Sequence, residues 1–388
     1  MYHILTLNKI SQRGLLRLPQ ERFACHDAID DPDGILVRSA NMHEFHLGGS
    51  LKAIARAGAG VNNIPIDRAS ETGIVVFNTP GANANAVKEL AVCALILASR
   101  DIAGGMFWVQ TLAGTEGVAQ AVEKGKSAYL GPELRGKRLG VLGLGAIGAM
   151  VANAADGLGM EVYGHDPFLS VDGAWGLGRD IKRAPGLGFL FSECDYISLH
   201  IPSNAENKKM LREALQGAKP GLRIINLARG DLFENEALLA ALEEGRLARY
   251  VTDFPNEKLL GNKSIVALPH LGASTPESEE NCALMAADQL RDFLVEGNIK
   301  NSVNFPTVSL PREKANRLCV AHRNIPNMLL SVLQACSDSK INVETMLNES
   351  KGDYAYTVLE SDSSLQEEAL ARLSQIPGIL RLRVIAAP

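Results

Sequence analysis

The sequence predicts an α/β fold built on parallel sheets, with a small βαββαβ module at its C-terminal end. Three observations predict it. Strand-like and helix-like segments alternate from the N-terminus to His270 at the spacing of βα units. Residues 141–148, VLGLGAIG, join an apolar strand to a helix-compatible run through three spaced glycines. The final segment, from Leu318 onward, reads strand, helix, strand, strand, helix, strand.

In the first layer, HILTL (3–7), GILVRS (34–39), LKAIAR (51–56) and IVVFNTP (74–80) read as four strands. IDRASETG (66–73) reads as a helix that stops at Gly73, a residue suited to a C-terminal cap. Open parallel sheets bind ligands beyond the carboxyl ends of their strands. Arg38 and Ser39 lie at one such end, and Arg56 with Gly58, Ala59 and Gly60 at another. Arginines there suit an anionic substrate through bidentate hydrogen bonds, while the competing reading is a surface or ion-paired arginine. Residues 85–99 are almost wholly apolar after Glu89 and predict a helix buried all round. Residues 101–135 are looser in pattern and suit a cleft cover or a subunit contact; Lys124 and Lys126 read as part of a solvated face.

The glycines of 141–148 have separable roles. Gly143 makes the tight turn, Gly145 lets the backbone approach a pyrophosphate, and Gly148 lets the helix pack close to the strand. The helix N-terminus offers free N–H groups to phosphates. Asp166, 18 residues after Gly148, ends the next strand-like segment, EVYGHDPF, where a carboxylate can hold both adenosine ribose hydroxyls. It would repel a 2′-phosphate, so NAD is expected over NADP. The competing reading is a glycine turn in another α/β protein.

Further along, YISLHIP (196–202), RIINLARGD (223–231), RYVTDFPNE (249–257) and IVALPHLGAST (265–275) read as strands running into loops. Arg229, Asp253, Glu257 and His270 therefore project from strand ends on the cofactor side of one sheet. A helix is expected from about Thr275 to Glu296.

Composition excludes several classes. The 388 residues are 46% hydrophobic and 21% charged with a net charge of −5, so large cores are available and nucleic acid is disfavoured as a partner. No apolar run reaches the roughly 18 residues of a membrane span. Six scattered cysteines without a CxxC read as buried thiols in a reducing cytoplasm, and no metal site is expected. His43 and His46 form an HxxH that reads as a surface helix.

The ordered segments RAGAGVNNI, FNTPGANANAVKELAV, GLGAIG, NLARGD, DFPNE and PHLGAST resemble the D-isomer-specific 2-hydroxyacid dehydrogenases over nearly the whole chain. LVRSA, RAGAGVNN and VNFP resemble the branch that oxidises 3-phospho-D-glycerate, a phosphorylated 2-hydroxy acid, at the entry to serine synthesis. The resemblance implies two Rossmann-like lobes. One is a discontinuous substrate-binding lobe (1–95 and 272–305), the other an NAD-binding lobe (96–271). It implies that Arg229 clamps the substrate carboxylate and that His270 exchanges the hydroxyl proton, with Glu257 paired to it and favouring imidazolium. Asp253 would lie near the nicotinamide, and Ala146, Ile147, Leu227, Ala228 and Gly272 would add cofactor contacts. The loop Asp253–Glu257 is one residue shorter than the family pattern and lacks its proline.

The segment 298–316 has the prolines and polarity of a linker, placed at 306–316, and the module beyond (317–388) resembles an ACT domain of ferredoxin-like βαββαβ order. In relatives with this tail the effector is L-serine, and its contacts map to His322, Asn324 and Asn342; the glycine that commonly starts the first helix is Asn327 here. The resemblance also implies a homodimer or homotetramer. Two other readings stand beside this one. The first is a sister dehydrogenase acting on glycerate, hydroxypyruvate or 2-hydroxyglutarate; the second is a non-catalytic NAD-sensing protein.

Overall fold

A computed structural model describes residues 1–362 and 365–386. The chain forms two compact units, Met1–Asn83 with Glu279–Pro388, and Ala84–Ser278.

The first unit opens with β1 (Tyr2–Leu7), α1 (Gln12–Leu15), β2 (Phe23–His26), β3 (Gly34–Val37), β4 (Ala53–Arg56), α2 (Ile66–Glu71) and β5 (Val75–Phe77). These strands make a parallel sheet in the order β2-β1-β3-β4-β5. β3, at the centre of the order, is buried along its whole length, as a strand covered on both faces must be; β5, at the edge, is buried too because Ser302 and Val303 bridge to its free side. The expected four strands are present. β2 is a fifth, four residues long at the sheet edge, too short and too exposed to show a period. Gly73 takes φ +69° just beyond α2, the left-handed cap its sequence position called for.

The second unit contains α3 (Ala84–Ser99), α4 (Ile102–Gln110), α5 (Val118–Gly125), β6 (Arg138–Leu142), α6 (Ala146–Gly157), β7 (Glu161–His165), α7 (Val171–Trp175), β8 (Lys182–Arg183), α8 (Leu187–Glu193), β9 (Tyr196–Leu199), α9 (Ala205–Gln216), β10 (Leu222–Asn226), α10 (Asn235–Glu243), β11 (Leu247–Thr252) and β12 (Ile265–Ala267). Its seven parallel strands run β12-β11-β10-β9-β6-β7-β8. The order reverses between β6 and β9, which makes the end of β6 the topological switch point where such sheets bind ligands. α3 packs Ala91, Ala94, Leu95 and Ala98 into this unit's core with Val151 and Ala155 of α6. It is not buried all round, because Glu89 and Cys93 are exposed. The stretch 101–135, loose in sequence, is largely helical; Asp101 caps α4, and Trp108 stacks on Tyr129 at 5.3 Å.

The first unit resumes in α11 (Pro276–Glu296) from Glu279, then β13 (Asn316–Arg323), α12 (Met328–Asp338), β14 (Thr345–Lys351), β15 (Tyr354–Ser361), α13 (Glu367–Ser374) and β16 (Ile379–Ala386). The βαββαβ order is present, as an antiparallel sheet β14-β15-β13-β16. Ser364, at the start of the expected second helix, and the last two residues lie outside the described residues. This sheet shares one core with the N-terminal sheet: Cys319, Ala321, Tyr356, Val358 and Ile385 cluster with Phe77, Phe293, Leu294 and Phe305.

The last carbonyls of a helix need donors. Here the module supplies them to α11. Arg383 donates to the carbonyls of Phe293 (3.2 Å) and Leu294 (2.9 Å), and Arg317 to that of Glu296 (2.6 Å). Tyr356 donates to the carbonyl of Gly297, just past the helix end (3.0 Å). Cationic side chains there also oppose the negative end of the helix dipole. Arg317 and Glu360 form an ion pair (2.6 Å) with both side chains fully buried. The stretch whose composition suggested a linker is pinned, with Ile299 and Val308 exchanging backbone hydrogen bonds of 2.7 and 3.0 Å. Cys25 and Cys93 are exposed rather than buried, at an edge strand and on the outer face of α3. Among the described residues no single helix is long and apolar enough to cross a membrane; the bent pair α3 and α4 passes by length and composition only.

Candidate active site

The three glycines of the turn behave differently. Gly143 has φ +88°, and a Cβ there would lie 2.5 Å from the carbonyl oxygen of His200. A Cβ on Gly148 would lie 1.8 Å from the Gly143 carbonyl oxygen, so the helix approaches the strand only because that atom is absent. Around Gly145 nothing lies within 4 Å of the Cβ position. The first two glycines are demanded by the protein itself, and the third leaves space for something else. Gly145 is the N-cap of α6 with no capping side chain, Ala146 is exposed and Ile147 half-buried, so the first N–H groups of the helix face open space.

Asp166 follows β7. Its carboxylate accepts from the Leu144 N–H (2.9 Å) and the Phe168 N–H (2.9 Å), which holds it beside the glycine turn. The open backbone at Gly145 and this placed carboxylate fit a dinucleotide, one for the pyrophosphate and one for the ribose. His200 follows β9. Burial pulls its imidazole down to about 4, and it is held neutral against Ser198 Oγ (2.9 Å).

Arg229, Asp253 and His270 follow β10, β11 and β12, neighbours at one edge of the same sheet. Arg229 is exposed, with Nη1 on the Ala228 carbonyl (2.7 Å). The loop beneath it is built by Asn226, a fully buried residue that sequence reasoning did not single out. Its Oδ1 accepts from the Ala228 and Arg229 N–H groups (3.1 and 3.3 Å), and its Nδ2 donates to the Arg229 carbonyl (2.8 Å) and the Tyr250 hydroxyl (2.9 Å). An asparagine ending an apolar strand was the signal, since such a residue can hydrogen-bond its own loop. Leu227 is buried in the core, and Ala228 is half-buried.

Asp253 is 1% exposed, and its Oδ1 has no hydrogen-bond partner. Burial raises its pKa, and the neighbouring His270 opposes that rise, followed by the backbone N–H groups of Asp253 and Gly272. A Cβ on Gly272 would lie 3.4 Å from Asp253 Oδ2. His270 itself is exposed, with the Phe254 ring against its imidazole at 4.6 Å. Glu257 does not meet His270. It is exposed and makes no hydrogen bond or ion pair among the described residues. The short loop explains this correction, because Asn256 donates to Asn235 Oδ1 (3.2 Å) and begins a turn that carries Glu257 outward.

In the first unit, Val37 pairs with Arg56 across β3 and β4, so Arg38 and Arg56 leave the same end of adjacent strands. Arg38 pairs with Glu279 (2.7 Å). Arg56 Nε donates to Asn63 Oδ1 (2.9 Å), and its guanidinium folds over Gly58, where a Cβ would lie 2.2 Å from Nη1. The Ser39 N–H donates to Asn8 Oδ1 (2.9 Å), and the Ala59 carbonyl accepts from Asn78 Nδ2 (2.7 Å). At Gly60 the nearest atom to a Cβ would be Asn62 Oδ1 at 3.8 Å. Two buried oxygens in the following loop, Thr79 Oγ1 and Asn83 Oδ1, have no partner, which marks polar residues within the NTPGAN segment that the sequence reading did not single out.

In the C-terminal module His322 is 2% exposed, and both ring nitrogens are used, against the Arg323 carbonyl (2.9 Å) and Thr357 Oγ1 (2.8 Å). Asn324 donates to the Gly352 carbonyl (3.0 Å) and Asn342 is exposed. Asn327 takes φ +66°, the left-handed conformation a glycine would take there. The HxxH segment is a loop rather than a helix, with His43 Nε2 on the Asn62 carbonyl (3.0 Å). No cluster of three metal-ligating side chains exists among the described residues.

Residues 105–274 match the family described as D-isomer specific 2-hydroxyacid dehydrogenase, NAD binding domain. The chain is 32% identical over 339 residues to D-3-phosphoglycerate dehydrogenase of Haemophilus influenzae, covering 84% of this chain and 79% of that one. It is 35% identical over 290 residues to D-3-phosphoglycerate dehydrogenase of Synechocystis, covering 72% of this chain and spanning about half (50%) of that longer protein. Among solved structures, NAD+-bound 3-phosphoglycerate dehydrogenase of Entamoeba histolytica superimposes with a TM-score of 0.60 at 29% identity, over 78% of this chain and 98% of that one.

Proposed function

We propose, since this chain belongs to the D-3-phosphoglycerate dehydrogenase family, that it oxidises 3-phospho-D-glycerate to 3-phosphooxypyruvate with NAD. One observation carries the reading: Arg229, Asp253 and His270 end three adjacent strands of the sheet that also bears the glycine turn and Asp166. The bound dinucleotide supplies a hydride acceptor at its nicotinamide. Gly145, the N-terminus of α6 and Asp166 hold its phosphates and ribose. Arg229 grips the substrate carboxylate and sets C2 in position, a contribution of orientation rather than of charge transfer. His270 takes the hydroxyl proton as the hydride leaves C2, and returns it in the reverse direction. Arg38 and Arg56, at adjacent strand ends, are the proposed contacts of the substrate phosphate.

L-serine is the proposed effector, with Asn342 and Asn324 as its polar contacts. His322 is committed to its own sheet and supports that surface by holding β13 to β15. A second copy of the chain is the proposed partner. The support is the apolar face of α4, where Met106, Phe107 and Val109 are 67%, 76% and 40% exposed. The six cysteines, four of them buried, suit a reducing cytoplasm.

The test is NADH formation with 3-phospho-D-glycerate, with and without millimolar L-serine. Turnover suppressed by serine supports the whole reading. Turnover indifferent to serine retains the enzyme and removes the effector. Reaction with hydroxypyruvate or 2-hydroxyglutarate alone transfers the assignment to a sister enzyme.

A further inference from the structure

Two loops, 38–42 and 57–65, leave the carboxyl ends of β3 and β4. The half-buried side chain of Asn63 joins them. Its Oδ1 accepts from Arg56 Nε (2.9 Å). Its Nδ2 donates to the carbonyls of Ala40 (2.8 Å) and Arg38 (3.4 Å). The Asn63 carbonyl also accepts from the Met42 N–H (2.8 Å). Both ends of one amide are therefore in use. The oxygen holds one arginine's guanidinium, and the nitrogen holds the backbone that carries the other arginine.

The 38–42 loop is held twice. Asn8 grips it as well, its Oδ1 accepting from the Ser39 and Ala40 N–H groups (2.9 and 2.7 Å). The bond to Arg56 Nε is what Asn63 adds beyond holding that loop. Gly58 restrains the same guanidinium from another direction. A Cβ there would lie 2.2 Å from Arg56 Nη1 and 3.0 Å from Cζ, so the group lies across bare backbone. A flexible arginine loses rotamer freedom when it grips an anion, and one that is already fixed loses less. The chemistry of the holder matters too. An amide orients a guanidinium without adding a charge that would cancel it. Arg38 is held differently, with Nη2 on the Glu279 carboxylate (2.7 Å).

We infer that Asn63 is a positioning residue for the phosphate end of the substrate. It presets the Arg56 guanidinium and ties it to the backbone of Arg38, so that the two cations are offered to one phosphate at a fixed spacing. The inference rests on the proposed reading of Arg38 and Arg56 as the phosphate contacts.

The experiment measures KM and kcat for 3-phospho-D-glycerate at saturating NAD in the full-length protein. The set is wild type, Asn63→Ala, Arg56→Ala and the double variant. Loss of a hydrogen bond to a charged group is expected to raise KM about tenfold in Asn63→Ala, with kcat falling by much less. Because Asn63 acts through Arg56, the same change made in Arg56→Ala is expected to raise KM by less than about threefold. Asn63→Gln, which keeps an amide one carbon further out, is expected to recover part of the loss only where Arg56 is present. If Asn63→Ala does not fold, the same cycle is run with Asn63→Ser, which keeps a polar group at the loop but is one bond shorter. A KM that stays within about twofold of wild type in the folded Asn63 variant, or a rise of equal size with and without Arg56, overturns the inference. The phosphate reading survives that outcome as long as Arg56→Ala raises KM. An Arg56→Ala variant with unmoved KM, or a wild type inert on 3-phospho-D-glycerate, rejects the phosphate reading and the inference with it.

Discussion

The loop ends of the seven-stranded sheet and the C-terminal four-stranded sheet use similar residues to opposite ends. At the seven-stranded sheet, Arg229 and His270 are exposed, Asp253 keeps an oxygen without a partner, and Gly145 faces open space. In the four-stranded sheet, Arg317 is fully buried and donates to Glu360, to the Glu296 carbonyl and to the Leu310 carbonyl. Arg383 lies over the Phe293 ring at 4.3 Å and donates to two carbonyls of α11, and His322 has both nitrogens engaged. Arginine, histidine and carboxylate thus stand open at strand ends in one place and hold the fold in the other. The difference is whether their polar atoms are already satisfied by the protein. Groups left unsatisfied at a strand end are available to a ligand; groups fully satisfied in a core are not.

The comparison can be broken most directly at His270. His270→Ala is expected to lower kcat by about 10²–10⁴-fold while NAD affinity, measured by calorimetry, is retained. Undiminished turnover would remove the distinction between the two regions. Next in size is Arg317→Met, which leaves Glu360 buried without its partner and is expected to cost about 3–5 kcal/mol in urea unfolding. Adding Glu360→Leu should recover most of that loss, since the stranded charge is then gone; a double variant as unstable as the single one would show that the pair does more than satisfy itself.

His200 sharpens the comparison, because it is a histidine at the site that is nonetheless satisfied. Its folded pKa, about 4, lies below the ordinary imidazole value, so the unfolded chain binds more protons between the two. Stability therefore falls as pH drops from about 6.5 toward 4, by up to about 3 kcal/mol. Urea titrations across that window should lose this component in His200→Gln. The smallest effect is expected at Asn327, where glycine relieves the left-handed backbone. Asn327→Gly should raise stability by under about 1 kcal/mol, read as a small rise in Tm, with NAD affinity unchanged.

Local physics made much of this protein legible from sequence alone. The βα alternation, the left-handed turn at Gly143, the close approach at Gly148, the cap at Gly73 and the placement of Arg229 and His270 at strand ends depend on spacing and on what a Cβ excludes. Both are written in neighbouring residues. The four-residue edge strand β2 escaped notice because it is too short to show a period. Tertiary structure decided how the charged groups are committed. Arg38 meets Glu279 from 241 positions away in sequence, Arg383 reaches the end of α11 across 90, and Asn256 turns Glu257 outward by reaching back 21 residues to Asn235. Whether a carboxylate serves a histidine or solvent depends on such distant partners, because Coulomb and hydrogen-bond energies follow distance in space rather than along the chain. The sequence by itself determined the sheets and the glycine turn. Only the folded chain decided that Asn256 turns Glu257 outward and that Arg38 meets Glu279.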